Sequence, residues 1–219
     1  MADHVVRLKE VPKGQRLQYI WDYYRYPALI AVIVAVVVIS LIKAIFFQTK
    51  PDATVLMTTN LYVDQQTIQQ MRSDLTSLTG DVNGDGETEV LFSYIPYNSE
   101  RDDPQTFMTM SQKLMAELST AQSMLQIVDD YMFEYLKIQE LVATYSELVP
   151  YGYTPDAPDA DIKIPLKSLQ VFSGEAYQDL PDNLYLTLRP KEASQLSDSA
   201  SKHAYYDSQV NLLLSWMAQ

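Results

Sequence analysis

Asp81, Asn83 and Asp85 carry oxygen-bearing side chains at alternate positions, and Gly86 follows directly, in the run Asp81-Val-Asn83-Gly-Asp85-Gly86-Glu87-Thr-Glu89. A hard cation such as Ca²⁺ needs several oxygens and a chain that bends sharply around it. This spacing matches the opening of a calcium loop. Asn-Gly and Asp-Gly are equally favoured wherever a turn requires positive φ, so a plain helix-to-strand turn would use the same residues. The position at which a calcium loop supplies its last, bidentate acid is Phe92. The missing ligand would have to come from Glu87, Glu89 or a neighbouring loop such as Asp102-Asp103. Ca²⁺ at Asp81, Asn83, Asp85, Glu87 and Glu89 is the one cofactor the sequence suggests.

A second set of residues is defined by position. In parallel α/β sheets ligands collect beyond the carboxyl ends of the strands. The strand ends read below place Asn60, Tyr97, Asn98, Asp129 and Asp130 there, a mixture of amides, a phenol and adjacent acids suited to a small polar or cationic ligand. Ordinary loop polarity is the alternative. No catalytic residues are assigned and no enzyme is expected: G-x-S-x-G, H-E-x-x-H, P-loop and G-x-G-x-x-G are all missing. His203 has no metal-spaced partner nearby, and acid pairs are common in any chain this acidic. There is no cysteine, which excludes disulfides, thiolate metal sites and a Cys nucleophile.

The elements that must position these residues follow from periodicity. Ala53–Thr59 is rich in β-formers. Asp64 caps a helix with Ile68, Met71, Leu75 and Leu78 on one face and Gly80 as its stop. A strand over Glu89–Ile95 is bounded by Pro96. Asp103-Pro104 opens a second helix with Phe107, Met110, Leu114 and Leu118 on its face. Ser123–Val128 is a third strand, and a short helix over Tyr131–Val142 follows. Beyond Pro150 the pattern is less regular, with strands over Ile162–Phe172 and Asn183–Leu188 and a last helix over Ala204–Met217. Strands alternating with amphipathic helices predict an α/β fold: a βαβαβ parallel-sheet domain with a less regular C-terminal part.

Ahead of it, Pro27–Phe47 reads PALIAVIVAVVVISLIKAIFF. As a helix it would extend about 31 Å at ~1.5 Å per residue, the thickness of a hydrocarbon core. Its one charge, Lys43, lies a turn from the far end, within snorkelling reach of the interface. Trp21, Tyr23, Tyr24 and Tyr26 precede it as an aromatic belt. Residues 1–50 hold seven Lys/Arg and three acids, a charge of +4, which leaves −16 on residues 51–219. The positive-inside rule then predicts a cytoplasmic basic tail (1–26), an uncleaved transmembrane helix (27–47) and an acidic extracytoplasmic domain (51–219) in the cell membrane. A field of that sign repels nucleic acid.

The W-D-Y-Y-R-Y-P run at 21–27, followed by strand–helix–D-x-N-x-D-G–strand–helix–strand-Asp, is similar to uncharacterised single-pass extracytoplasmic proteins of Gram-positive bacteria. Their outer part resembles one lobe of a periplasmic solute-binding protein. The likeness covers roughly residues 17–130. Over nine residues, the 81–89 run also resembles the loops of EF-hands and dockerin-like modules. In solute-binding proteins the third strand opens onto the ligand cleft, which implies a binding role for Asp129 and Asp130. The chain is too short for a second full lobe, so the resemblance does not extend to a two-lobed clamp. Together these features lead to the expectation of a membrane-tethered binding or scaffolding domain, calcium-supported. The alternative is a bitopic structural subunit of a cell-envelope complex, and a membrane-bound hydrolase is a distant third.

Overall fold

The computed structural model describes residues 16–46, 51–98, 102–194 and 200–218. Residues 1–15 of the basic tail, Phe47 and Lys50 therefore lie outside the described residues. The chain divides into two units, Met1–Thr49 and Lys50–Gln219.

The first unit is helix α1, Arg16–Phe46, 31 residues with Pro27 inside it. Its described side chains, Trp21 and those of 26–41, are all exposed. Among the described residues no helix is long and apolar enough to cross a membrane. The stretch of α1 with described side chains is sixteen residues, against the ~20 a bilayer core requires. The remainder of the expected span, including the side chain of Lys43, lies outside it.

The second unit is a mixed α/β domain around a five-stranded, mostly parallel sheet. Its elements are β1 (Ala53–Thr59), α2 (Gln65–Thr79), β2 (Val90–Pro96), α3 (Pro104–Thr120), β3 (Leu125–Asp129), α4 (Asp130–Ile138), β4 (Ile164–Pro165), β5 (Leu184–Leu188) and α5 (Ala200–Met217). The strand order is β2-β1-β3-β5-β4. β1 pairs in parallel with both β2 and β3. β5 runs antiparallel to β3, and β4 antiparallel to β5.

The chain moves from β1 outward to β2, then back across β1 to β3. Crossovers of one hand in opposite directions put their helices on opposite faces, and the cores agree. Val55, Met57 and Phe92 pack with Met71 and Leu75 of α2 and with Tyr206, Val210, Leu213 and Trp216 of α5. The alternate residue Leu56, with Ile95 and Val128, packs with Leu114 and Leu118 of α3 and Met132, Phe133 and Leu136 of α4. β1 and β3 are buried along their whole length, as central strands covered on both faces must be.

The helix starts follow local chemistry. Asp64 accepts the amides of Gln66 and Thr67, and Asp103 those of Gln105 and Thr106. Several expectations change. The short helix stops at Ile138, not Val142, because Glu140 takes a left-handed conformation and Leu141 N–H returns to the carbonyl of Leu136 at 2.9 Å. The strand expected over Ile162–Phe172 is only Ile164–Pro165. Short 3₁₀ turns at Leu166–Ser168 and Gln170–Phe172 take up the rest. There Leu166, Leu169 and Phe172 are buried at three-residue spacing, which a strand's two-residue period could not achieve.

Candidate functional site

The strand order reverses between β1 and β3, and in a doubly wound sheet the crevice at that point is where a ligand would lie. Asn60, Tyr97, Asn98, Asp129 and Asp130 all sit at this carboxyl end. Four of them join one network. Asp129, 1% exposed, accepts at Oδ2 from the Thr59 hydroxyl (2.6 Å) and from Asn60 N–H (2.7 Å). Its Oδ1 accepts from Met132 N–H at 2.8 Å, capping α4. Thr59 Oγ1 in turn accepts from Leu61 N–H at 3.0 Å. Tyr97 N–H reaches the Thr59 carbonyl at 2.8 Å, and Asn98 Nδ2 the Asn60 carbonyl at 2.6 Å. Asp129 thus ties β1, β3 and α4 together and has both oxygens engaged by the protein itself. Buried charged groups require such partners.

Asp130 turns the other way. It is exposed and pairs with Lys163 at 2.7 Å. The Lys163 hydrogen bond is the first cause holding the Asp130 carboxyl below its ordinary range. Lys163 Nζ also lies 4.2 Å from the ring centre of Tyr185 and 4.7 Å from that of Phe133, so the ammonium is satisfied by an acid and two π-faces. Tyr97 packs its ring 5.1 Å from Phe107 and 6.4 Å from Tyr131. A cavity of about 180 Å³ opens nearby, lined by Tyr62, Val63, Asp64, Thr67, Asp179, Leu180 and Pro181.

The 81–89 run occupies the opposite end of the sheet, before β2, roughly 20 Å away along a seven-residue strand. Asp81 accepts from Gly84 N–H (2.6 Å) and Gly86 N–H (2.8 Å), Asn83 from Asp85 N–H (2.8 Å), and Asp85 from Glu87 N–H (2.9 Å). Gly84 and Gly86 hold φ of 77° and 88°, where a Cβ is strained. Phe92 is a buried core residue of β2. Asp102-Asp103 follow β2 at its far end, so of the three sources named for the last ligand this one is corrected: the strand separates it from the loop. Among the described residues no three Asp, Glu or His side chains are grouped so as to hold a metal ion.

Two polar residues of structural weight were not singled out in the sequence. Asp52, 2% exposed, anchors the 81–89 turn by accepting Val82 N–H (2.8 Å), Asn83 N–H (2.9 Å) and Glu89 N–H (2.8 Å). Its visible signal was an acid directly before a strand. Lys163 follows the acids Asp156, Asp159 and Asp161 in the chain, and nothing local pointed to Asp130.

No protein-family model, curated protein or solved structure matches this chain.

Proposed function

We propose that the chain is a membrane-tethered, non-enzymatic binding or scaffolding domain, with α1 crossing the cell membrane, the basic tail in the cytoplasm and the −16 domain outside. One observation carries the tether: residues 26–41 of α1, apolar but for Tyr26 and Ser40, are exposed without interruption. In water such a surface far exceeds the few hundred Å² that soluble proteins tolerate. In hydrocarbon it is satisfied, because a helix closes its own backbone hydrogen bonds. The self-engaged Asp129 favours a macromolecular partner over a small solute, and with it the alternative of an envelope-complex subunit.

The chain contains no cysteine, which makes the test direct. Single cysteines are introduced at Ala2 and at Gln178 and treated in intact cells with a membrane-impermeant maleimide. Labelling at 178, with labelling at 2 only after permeabilisation, supports the reading. The reverse pattern, or release of the domain by cleavage after the helix, overturns it.

Calcium at Asp81, Asn83, Asp85, Glu87 and Glu89 is a separable proposal, supported by the preformed Asp–Gly turns. A melting midpoint raised by millimolar Ca²⁺, with the rise lost in Asp81→Ala, would support it. Coincident midpoints in Ca²⁺ and in chelator would remove the ion.

A further inference from the structure

Helix α4 is apolar on two sides. Met132, Phe133 and Leu136 are buried against the sheet. Tyr131, Tyr135 and Ile138, at i, i+4 and i+7, form a second stripe on which Tyr131 is 55% and Ile138 76% exposed. α3 continues this stripe. The Tyr135 hydroxyl meets Met115 Sδ at 4.0 Å, and Met108 and Met115 are 63% and 52% exposed. Asp130, Glu134 and Lys137 make the rest of α4 polar, so the exposed stripe is a bounded apolar patch of the kind that marks an interaction surface. Methionines beside aromatic rings make an adaptable surface, and a seam between two helices suits an amphipathic third.

Charge selects the occupant. Residues 51–219 carry −16, so a second copy of this chain or an anionic lipid surface would approach against like charge. A helix whose apolar stripe is flanked by Lys and Arg matches both the seam and the field. We propose that the α3–α4 seam is the docking face for a basic, amphipathic helix of a partner protein. This rests on the binding-or-scaffolding reading above and names the face and the partner's chemistry.

The test uses the full-length chain in nanodiscs of zwitterionic lipid. The probe is a fluorescent 18-residue Leu/Lys peptide with Leu at i, i+3 and i+4. A Leu/Glu peptide of the same pattern and a Leu/Lys peptide of scrambled order are the comparisons. Empty nanodiscs set the lipid background. The chain should bind the patterned basic peptide roughly tenfold or more tightly than Ile138→Glu or Tyr131→Ala does, the loss expected of a central interface side chain. The Leu/Glu and scrambled peptides should bind no better than to empty nanodiscs.

Equal binding by the unaltered chain and both variants would reduce the effect to bulk attraction and overturn the proposal. So would a dimer of the chain that Ile138→Glu dissolves, since the seam would then belong to a second copy. If Ile138→Glu melts early, Met115→Gln takes its place under the same criteria. Maleimide topology is scored separately, so an inverted chain that keeps the peptide preference would sink the tether and leave the seam standing.

Discussion

Asp129→Ala removes the acceptor shared by Thr59 Oγ1, Asn60 N–H and Met132 N–H, at 2.6, 2.7 and 2.8 Å. Hydrogen bonds to an ionised acceptor are worth about 1.5–3 kcal/mol each, and loss of a helix N-cap alone costs about 1 kcal/mol. Asn60 is only half-buried and can recover water, whereas Thr59 and Met132 are buried and cannot. A net loss of about 4 kcal/mol follows, short of the full sum because the site relaxes. For a unit of this size ~2–4 °C accompanies each kcal/mol, so the midpoint should fall by about 8–16 °C. Asp129→Asn keeps one acceptor oxygen for Met132 but turns an amide toward Asn60 N–H. It should cost about half as much. The assay is thermal circular dichroism of the full-length chain and both variants under one detergent condition. An Asp129→Ala midpoint equal to that of the unaltered chain would refute the structural role and return Asp129 to the ligand-binding role expected from its place on the third strand.

Three further outcomes are expected. Glu140, exposed at φ +57° in the turn that ends α4, sits where a Cβ costs ~1–2 kcal/mol. Glu140→Gly should therefore stabilise by about 0.5–1 kcal/mol net of glycine's entropy, read as a small rise in urea midpoint at unchanged slope. Gln126 is fully buried with neither amide atom partnered among the described residues, and Thr187, which faces it across β3 and β5, is unpartnered too. Gln126→Met should leave the melting midpoint unchanged or raise it by the equivalent of ~1 kcal/mol, and a fall would mean that the amide is satisfied in solution. Burial, followed by hydrogen bonds to Glu147, Asp207 and Asp74 respectively, raises the ionisation of Tyr206, Tyr151 and Tyr177 above the ordinary phenol value of 10.0. Because the folded values lie above the unfolded one, their stabilisation is complete below pH 10 and is lost as pH rises beyond it. Absorbance titration at 295 nm should show these three phenols ionising only with the alkaline unfolding transition, and ionisation at pH 10 in the folded state would contradict the packing.

Much of the fold was legible because its determinants are local. A side-chain acceptor caps a helix through amides two and three residues on, so Asp64 and Asp103 could be read directly as starts. The three- and four-residue spacing of Ile68, Met71 and Leu75, and the four-residue spacing of Leu114 and Leu118, placed α2 and α3 because each helix must bury one stripe. The strands around Ala53–Thr59, Val90–Pro96 and Leu125–Asp129 were readable from apolar β-formers between turn residues. The 81–89 turn was readable from its glycines.

The site was legible as an address but not as chemistry. That Asn60, Tyr97, Asn98, Asp129 and Asp130 gather at one end of the sheet follows from strand direction alone. Whether an acid there is open or engaged depends on partners far along the chain. The Thr59–Asp129 bond spans 70 positions, Lys163 reaches Asp130 across 33, and Asp52 gathers amides 30 to 37 residues on. No periodicity encodes contacts of that range. The same limit hid the antiparallel run of β5 beside β3, since a strand's residue types fit either direction. It also hid the second apolar stripe of α4, because which of its apolar side chains the sheet claims, here Met132, Phe133 and Leu136, is decided by packing. The sequence by itself determined the helical faces, the caps, the strand segments and the division into an apolar helix and an acidic domain. Only the tertiary structure decided which polar groups are consumed in holding the fold together and which surfaces remain to meet something else, because both depend on what arrives from elsewhere in the chain.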